Sequence, residues 1–173
     1  MEDEMLTSIR KLFDNPEAGG WAGWLGRIDG LVAALAPASL AQLALRFGLA
    51  VPFWRSGMSK WDGFLQLNDT AVLLFTSEFK LHLPGGPYDY PAPAMMAFVV
   101  ACAEVLLPTL LVLGLATRLA ALGLLAMTIV IQLTVPDGWP IHLTWAAMAL
   151  AIVTWGAGKL SADGWLGARA GKA

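Results

Sequence analysis

Charge is what this chain has least of. Of its 173 residues, 14% are Asp, Glu, Lys or Arg and 57% are hydrophobic, whereas a soluble domain carries about 25% charged residues. The deficit excludes an ordinary soluble domain and suits a chain solvated by lipid. A formal net charge of −2, with no cluster of Lys or Arg, excludes nucleic acid as a partner. Cysteine occurs once, at Cys102, so there is no intrachain disulfide and no CxxC redox pair. With only His82 and His142, and no HxxxH spacing, no metal site is assigned; a single histidine at a helix end does not supply two axial ligands for haem. A Gly-rich phosphate loop and a persuasive Ser/His/Asp set are also missing, so no catalytic residue is named. The acidic start, MEDEMLTSIRKLF, does not have the form of a cleavable signal, and the first spanning helix is expected to direct insertion.

Long apolar runs fill the space that charge leaves. Met95–Val135 is two such runs around a turn at Thr117 and Arg118, with one carboxylate, Glu104, in the first. Spans of roughly 17–25 residues cross a bilayer core, and four are expected: Ala38–Met58 with an internal Pro52, about Ala94–Leu115, Leu119–Val135 and Ile141–Ala157. The expected fold is all-α, an integral membrane four-helix bundle preceded by amphipathic interfacial helices at Met5–Phe13 and Trp21–Leu35. Residues 1–36 form the cytoplasmic-side amphipathic region, 37–160 the membrane domain and 161–173 a cytoplasmic tail. Between the first two spans, Ser59–Pro93 contains an apolar stretch, Ala71–Phe75, too short to cross. It is expected to lie over the bundle as an amphipathic or re-entrant helix, followed by a stiff irregular loop from Pro84 to Pro93 that has the length and position of a lid.

Arg10, Lys11, Arg27, Arg118, Lys159, Arg169 and Lys172 fall on the side of the termini, against Lys60, Lys80 and the boundary residue Arg55 on the other. The positive-inside rule then places both termini in the cytoplasm, with Trp54, Trp61, Tyr88, Tyr90 and Trp139 in the outer aromatic belt.

Polar groups inside apolar helices are costly and need partners. At about 1.5 Å of rise per residue, Arg46 sits roughly 12 Å up from the cytoplasmic end, Glu104 roughly 16 Å, Gln132 roughly 20 Å and Arg55 roughly 25 Å. His142 lies above them with Trp145 one turn along. The economical arrangement turns Arg46 or Arg55 toward Glu104 and closes the set with Gln132. Such a network either locks helix packing or lines a pocket, and Glu104, if unpaired, becomes a proton carrier. His82 is expected to be a solvated loop histidine.

The residues Leu45-Arg46-Phe47-Gly48, Arg55-Ser56-Gly57-Met58-Ser59-Lys60, Ala103-Glu104-Val105-Leu106, Leu113-Gly114-Leu115-Ala116-Thr117-Arg118 and Gly156-Ala157-Gly158-Lys159-Leu160-Ser161-Ala162-Asp163, in this order and spacing, resemble the DoxX family of bacterial membrane proteins across roughly Leu45–Leu166. Ile131-Gln132, Trp139-Pro140, His142 and Trp145 resemble a subgroup with a glutamine and a histidine flanking the last outer turn. The family commonly has Gly-Pro-Gly where this chain has Gly156-Ala157-Gly158. The resemblance implies a four-helix inner-membrane bundle and an association with quinone-linked oxidoreductases and oxidative-stress complexes.

The function expected is an outward-facing pocket lined by Arg46, Arg55, Glu104, Gln132, His142 and Trp145. It would bind a quinone-like or other small amphipathic ligand and support a membrane redox or stress-response complex, with the bilayer and a redox protein as partners and a homo-oligomer compatible with the small size. Two other classes stay open: a non-enzymatic scaffold that recruits a partner through the outer loop, and a small transporter or metal-handling protein using the histidines with Met58, Met95 and Met96.

Overall fold

The computed structural model describes residues 21–35 and 37–170, so the helix expected at Met5–Phe13 lies outside the described residues. The chain divides into two units, Met1–Ala41 and Gln42–Ala173. In the first, α1 (Trp21–Leu35) leaves Trp21, Trp24, Leu25, Leu31, Val32 and Leu35 exposed.

In the second unit the long helices are α2 (Ala38–Met58), which begins in the first unit, α4 (Pro93–Leu113), α5 (Thr117–Thr134) and α6 (Trp139–Trp155). A short α7 (Ala162–Ala170) follows. Of these, α4 and α5 are each long and apolar enough to cross a membrane. Four helices supply one core: Leu49, Ala50 and Phe53 from α2, Leu111 from α4, Ala120, Ala121 and Leu124 from α5, and Ala149 and Ile152 from α6. Small residues in that set let backbones approach closely, which is how apolar helices gain packing when lipid is as apolar as they are. Gly123 shows the limit: a Cβ there would meet Leu107 Cδ1 at 2.8 Å.

The turn from α4 to α5 ends α4 with Gly114 at φ 70°, a left-handed position that glycine fills without steric cost. Leu115 N–H donates to Leu110 C=O and Gly114 N–H to Leu111 C=O, the double closure of a Schellman end.

Between α2 and α4 the structure departs from the expected pattern. Strands β1 (Trp61–Gly63) and β2 (Gln66–Leu67) pair antiparallel, as do β3 (Lys80–Leu81) and β4 (Tyr88–Asp89). The apolar stretch becomes α3 (Asp69–Leu73), capped by Asn68 Oδ1 accepting from Ala71 N–H at 2.7 Å, and continues as a widened π turn over Leu74–Glu78. The chain is mostly helical, as expected, and among the described residues two minimal ladders interrupt the helices only here. Strands of two or three residues carry no readable alternation, and the irregular loop from Pro84 to Pro93 contains β4 because Pro84–Pro87 folds it back on β3.

Candidate functional site

The connection between α2 and α4 folds over one end of the helices and encloses a cavity of about 370 Å³. Its walls are mainly apolar: Pro52 and Phe53 from α2, Met96 and Val100 from α4, Ala126, Met127, Val130 and Ile131 from α5, Trp145 from α6, and Phe75, Phe79 and Tyr90 from the connection. Phe75 stacks against Phe79 and Tyr90 with ring centroids 5.2 and 5.4 Å apart, making an aromatic roof. The roof is held down at α5: His82 N–H donates to Leu133 C=O at 2.7 Å, and the exposed His82 ring places Nδ1 3.1 Å from the same oxygen.

Polar atoms meet the cavity at two places. At the first, Lys60 Nζ donates to Glu104 Oε2 at 2.5 Å, to Ser56 Oγ at 2.8 Å and to Ser56 C=O at 3.2 Å, while Ser56 Oγ donates to Glu104 Oε1 at 3.2 Å. Glu104 is 4% exposed, so its charge is sustained by this pairing and not by water. At the second, Tyr90 Oη lies 2.5 Å from Thr134 Oγ1.

The pair depends on how α2 ends. Gly57 packs directly on the Glu104 backbone, where a Cβ would stand 2.8 Å from Glu104 Cβ and 2.9 Å from its carbonyl carbon. Past the helix end, Lys60 N–H donates to Gly57 C=O, and Lys60 C=O accepts from Asn68 N–H. These bonds hold the Lys60 backbone while its side chain turns back toward α4. Pro108, four residues after Glu104 and inside α4, removes the N–H that Glu104 C=O would otherwise accept.

Of the six residues expected to line a pocket, Glu104 and Trp145 do so and the other four do not. The expected Arg46 or Arg55 partnership with Glu104 is replaced by Lys60, and Gln132 does not join it. Height along a helix carries no information about direction around it, and Arg46 points elsewhere. At 1% exposure it donates through Nε to Leu111 C=O at 2.7 Å, through Nη1 to Ala157 C=O at 3.1 Å and Leu160 C=O at 2.7 Å, and through Nη2 to Val112 C=O. The guanidinium thereby ties carbonyls in the last turn of α4 to carbonyls of the segment that follows α6. Arg55 is exposed in the last turn of α2.

Gln132 and His142 form a pair of their own, His142 Nδ1 lying 2.8 Å from Gln132 Oε1 while Gln132 Nε2 donates to Pro136 C=O at 2.9 Å. This closes the turn between α5 and α6. His142 lies beside Trp145, whose ring also packs on Phe53 with centroids 5.0 Å apart, so the pair supports the cavity wall without lining it. Tyr90, expected in the outer aromatic belt, is 6% exposed and forms part of the roof.

The far end of the helices is fixed by Asp163, a residue present in the terminal motif but given no role by sequence reasoning. Its Oδ1 accepts from Ala116 N–H, and its Oδ2 accepts from Thr117 N–H and Thr117 Oγ1. Burial pushes this carboxyl up. The Thr117 and Ala116 hydrogen bonds and the Arg46 charge outweigh burial and hold it below its ordinary value.

The DoxX family model matches residues 41–137, more than half of the chain. A protein of Haemophilus influenzae described as uncharacterized is 32% identical over 134 residues, which cover 70% of this chain and 80% of that protein. No solved structure matches. The matched segment contains Arg46, Lys60 and Glu104, most of the cavity wall and the whole roof, and stops before Trp145 and the Asp163 motif.

Proposed function

This chain belongs to the DoxX family of membrane proteins, and from that premise we propose that it holds a small amphipathic molecule, quinone-like in having a compact polar head on an apolar body, in service of a membrane redox or stress-response complex. The observation that carries the reading is the cavity: about 370 Å³, walled by aliphatic and aromatic side chains, with polar atoms confined to the Lys60–Glu104–Ser56 group and the Tyr90–Thr134 pair. Apolar space with a few convergent polar groups is the ordinary form of a small-molecule site.

In this reading α2, α4, α5 and α6 all span the inner membrane as a bundle, both termini face the cytoplasm, and α1 lies on the cytoplasmic surface with its tryptophans at the headgroups. The roofed end then faces outward. Exposed Ala126 and Val130, which also line the cavity, give the apolar body a way in from the bilayer. The head is oriented by the polar groups, and Phe75 and Phe79 keep water from the site. Electron transfer is assigned in this reading to a partner protein of the complex.

The test is native mass spectrometry of the full chain extracted in mild detergent, beside a Val100→Trp variant whose indole fills the cavity. The expected result is an amphiphile retained by the native chain and lost from the variant, with similar thermal unfolding of the two. Equal retention by both places the ligand outside the cavity and overturns the reading.

A further inference from the structure

The hydrogen bonds around the cavity distinguish donors already committed from acceptors still open. A lysine ammonium has three protons, and Lys60 directs them to three acceptors, Glu104 Oε2, Ser56 Oγ and Ser56 C=O. The single Ser56 hydroxyl proton goes to Glu104 Oε1. On the other wall, Thr134 Oγ1 donates to Val130 C=O at 2.8 Å, which uses its only proton. Tyr90 must therefore be the donor in the Tyr90–Thr134 bond. Each of these four side chains has spent its protons on the protein.

What remains is acceptor capacity. An ionised carboxylate offers about four lone-pair sites, and Glu104 receives one bond on each oxygen. The Tyr90 oxygen receives none among the described residues. The one cavity-lining side-chain donor with no acceptor among the described residues is the indole N–H of Trp145. The wall also carries no net charge at the polar end, because Lys60 and Glu104 cancel.

We propose that the cavity selects a neutral amphiphile with a hydroxyl head, which donates to Glu104 or Tyr90 and can accept from Trp145, over one with a carbonyl or carboxylate head. This deepens the reading of the cavity as an amphiphile site and rests on it. A carbonyl head can accept from Trp145 but has no proton to give, so the open acceptors of Glu104 and Tyr90 stay unmet, whereas a hydroxyl answers both. A carboxylate head adds an unbalanced negative charge in apolar surroundings, and the Lys60 ammonium has no proton left to meet it. Within a quinone couple, the same donor count favours the hydroquinone.

The experiment is competition native mass spectrometry of the full chain in nanodiscs, using two chain-matched pairs: decylhydroquinone against decylbenzoquinone under reductant-controlled, oxygen-free conditions, and dodecanol against dodecanoate. In each pair the hydroxyl compound is expected to bind more tightly by about tenfold or more, the worth of a hydrogen bond to a charged group. In Glu104→Gln, where an amide offers protons to the head, the preference is expected to fall toward parity. In Tyr90→Phe the hydroxyl compounds are expected to weaken with the carboxylate group intact. Affinities within about twofold of each other in both pairs, or a reversed order, measured on the native chain alone, overturn the hydroxyl assignment and leave the cavity site standing. Binding of none of the four overturns the cavity reading and this inference together.

Discussion

Lys60 Nζ stands 2.5 Å from Glu104 Oε2, and the approach that permits it is made by Gly57, whose absent Cβ would lie 2.8 Å from Glu104 Cβ. Helix α2, its end and α4 are thus joined by one missing methyl group and one ion pair. Gly57→Val is expected to force the helices apart and cost about 1–3 kcal/mol, the usual penalty of overpacking. Thermal unfolding in detergent checks this, and a variant as stable as the native chain contradicts the close approach.

The ion pair itself predicts a non-additive pair of substitutions. Lys60→Met leaves a buried carboxylate without its partner and is expected to cost about 3–5 kcal/mol, whereas adding Glu104→Leu recovers most of that loss because no charge is then left uncompensated. A double-mutant cycle by unfolding separates stability from ligand retention, which the double variant is expected to lose. Retained ligand in a stable double variant would assign the pair to packing alone.

Asp163 predicts a pH dependence of defined sign. Its carboxyl is held below the ordinary value of 3.8 in the folded chain. The stability it contributes is therefore complete above that value and disappears as pH falls through the lower folded one. Asp163→Asn is expected to unfold at lower temperature than the native chain at neutral pH, with the difference closing as the medium is acidified below the ordinary carboxylate range. Melting curves across pH measure the gap; a difference that persists at the acid end contradicts the assignment.

Arg46 and Gln132 separate support from binding. Arg46→Met is expected to cost on the order of 3 kcal/mol or more, because each buried carbonyl left without its partner costs about 1–3 kcal/mol. Gln132→Ala opens a single side-chain clasp to His142 and Pro136 and is expected to cost about 1 kcal/mol. Neither side chain touches the cavity, so the fraction of folded chain carrying the amphiphile is expected to stay the same. A selective loss of ligand in either variant places that residue in the site.

Helix positions were legible because apolar runs and their breakers are local signals. Helix α2 occupies Ala38–Met58 as its sequence suggested, and the ends of α4, α5 and α6 fall within two residues of those expected. Glu104 stood out as a lone carboxylate in an apolar run, and it does line the cavity. Its partner was not legible. Lys60 lies beyond the helix end and was counted with the outer loop charges, whereas the helix-borne arginines at similar depth drew attention. The motif Arg55-Ser56-Gly57-Met58-Ser59-Lys60 contained the needed signal: a serine and a lysine four residues apart, with a glycine between them, fall on one side of a helix end. The tyrosine of the roof and the carboxylate that caps α5 from 46 residues away depend on contacts that no periodicity encodes.

The most direct measurement is photo-labelling of the full chain in bilayers with a hydroxyl-headed amphiphile bearing a diazirine on its alkyl chain, followed by peptide mapping. The account predicts labels on cavity residues such as Phe75, Phe79, Met96, Val100 and Val130, and their loss in Val100→Trp. Labels confined to outward-facing positions such as Leu106, Leu119 and Leu122, unchanged in the variant, would contradict it.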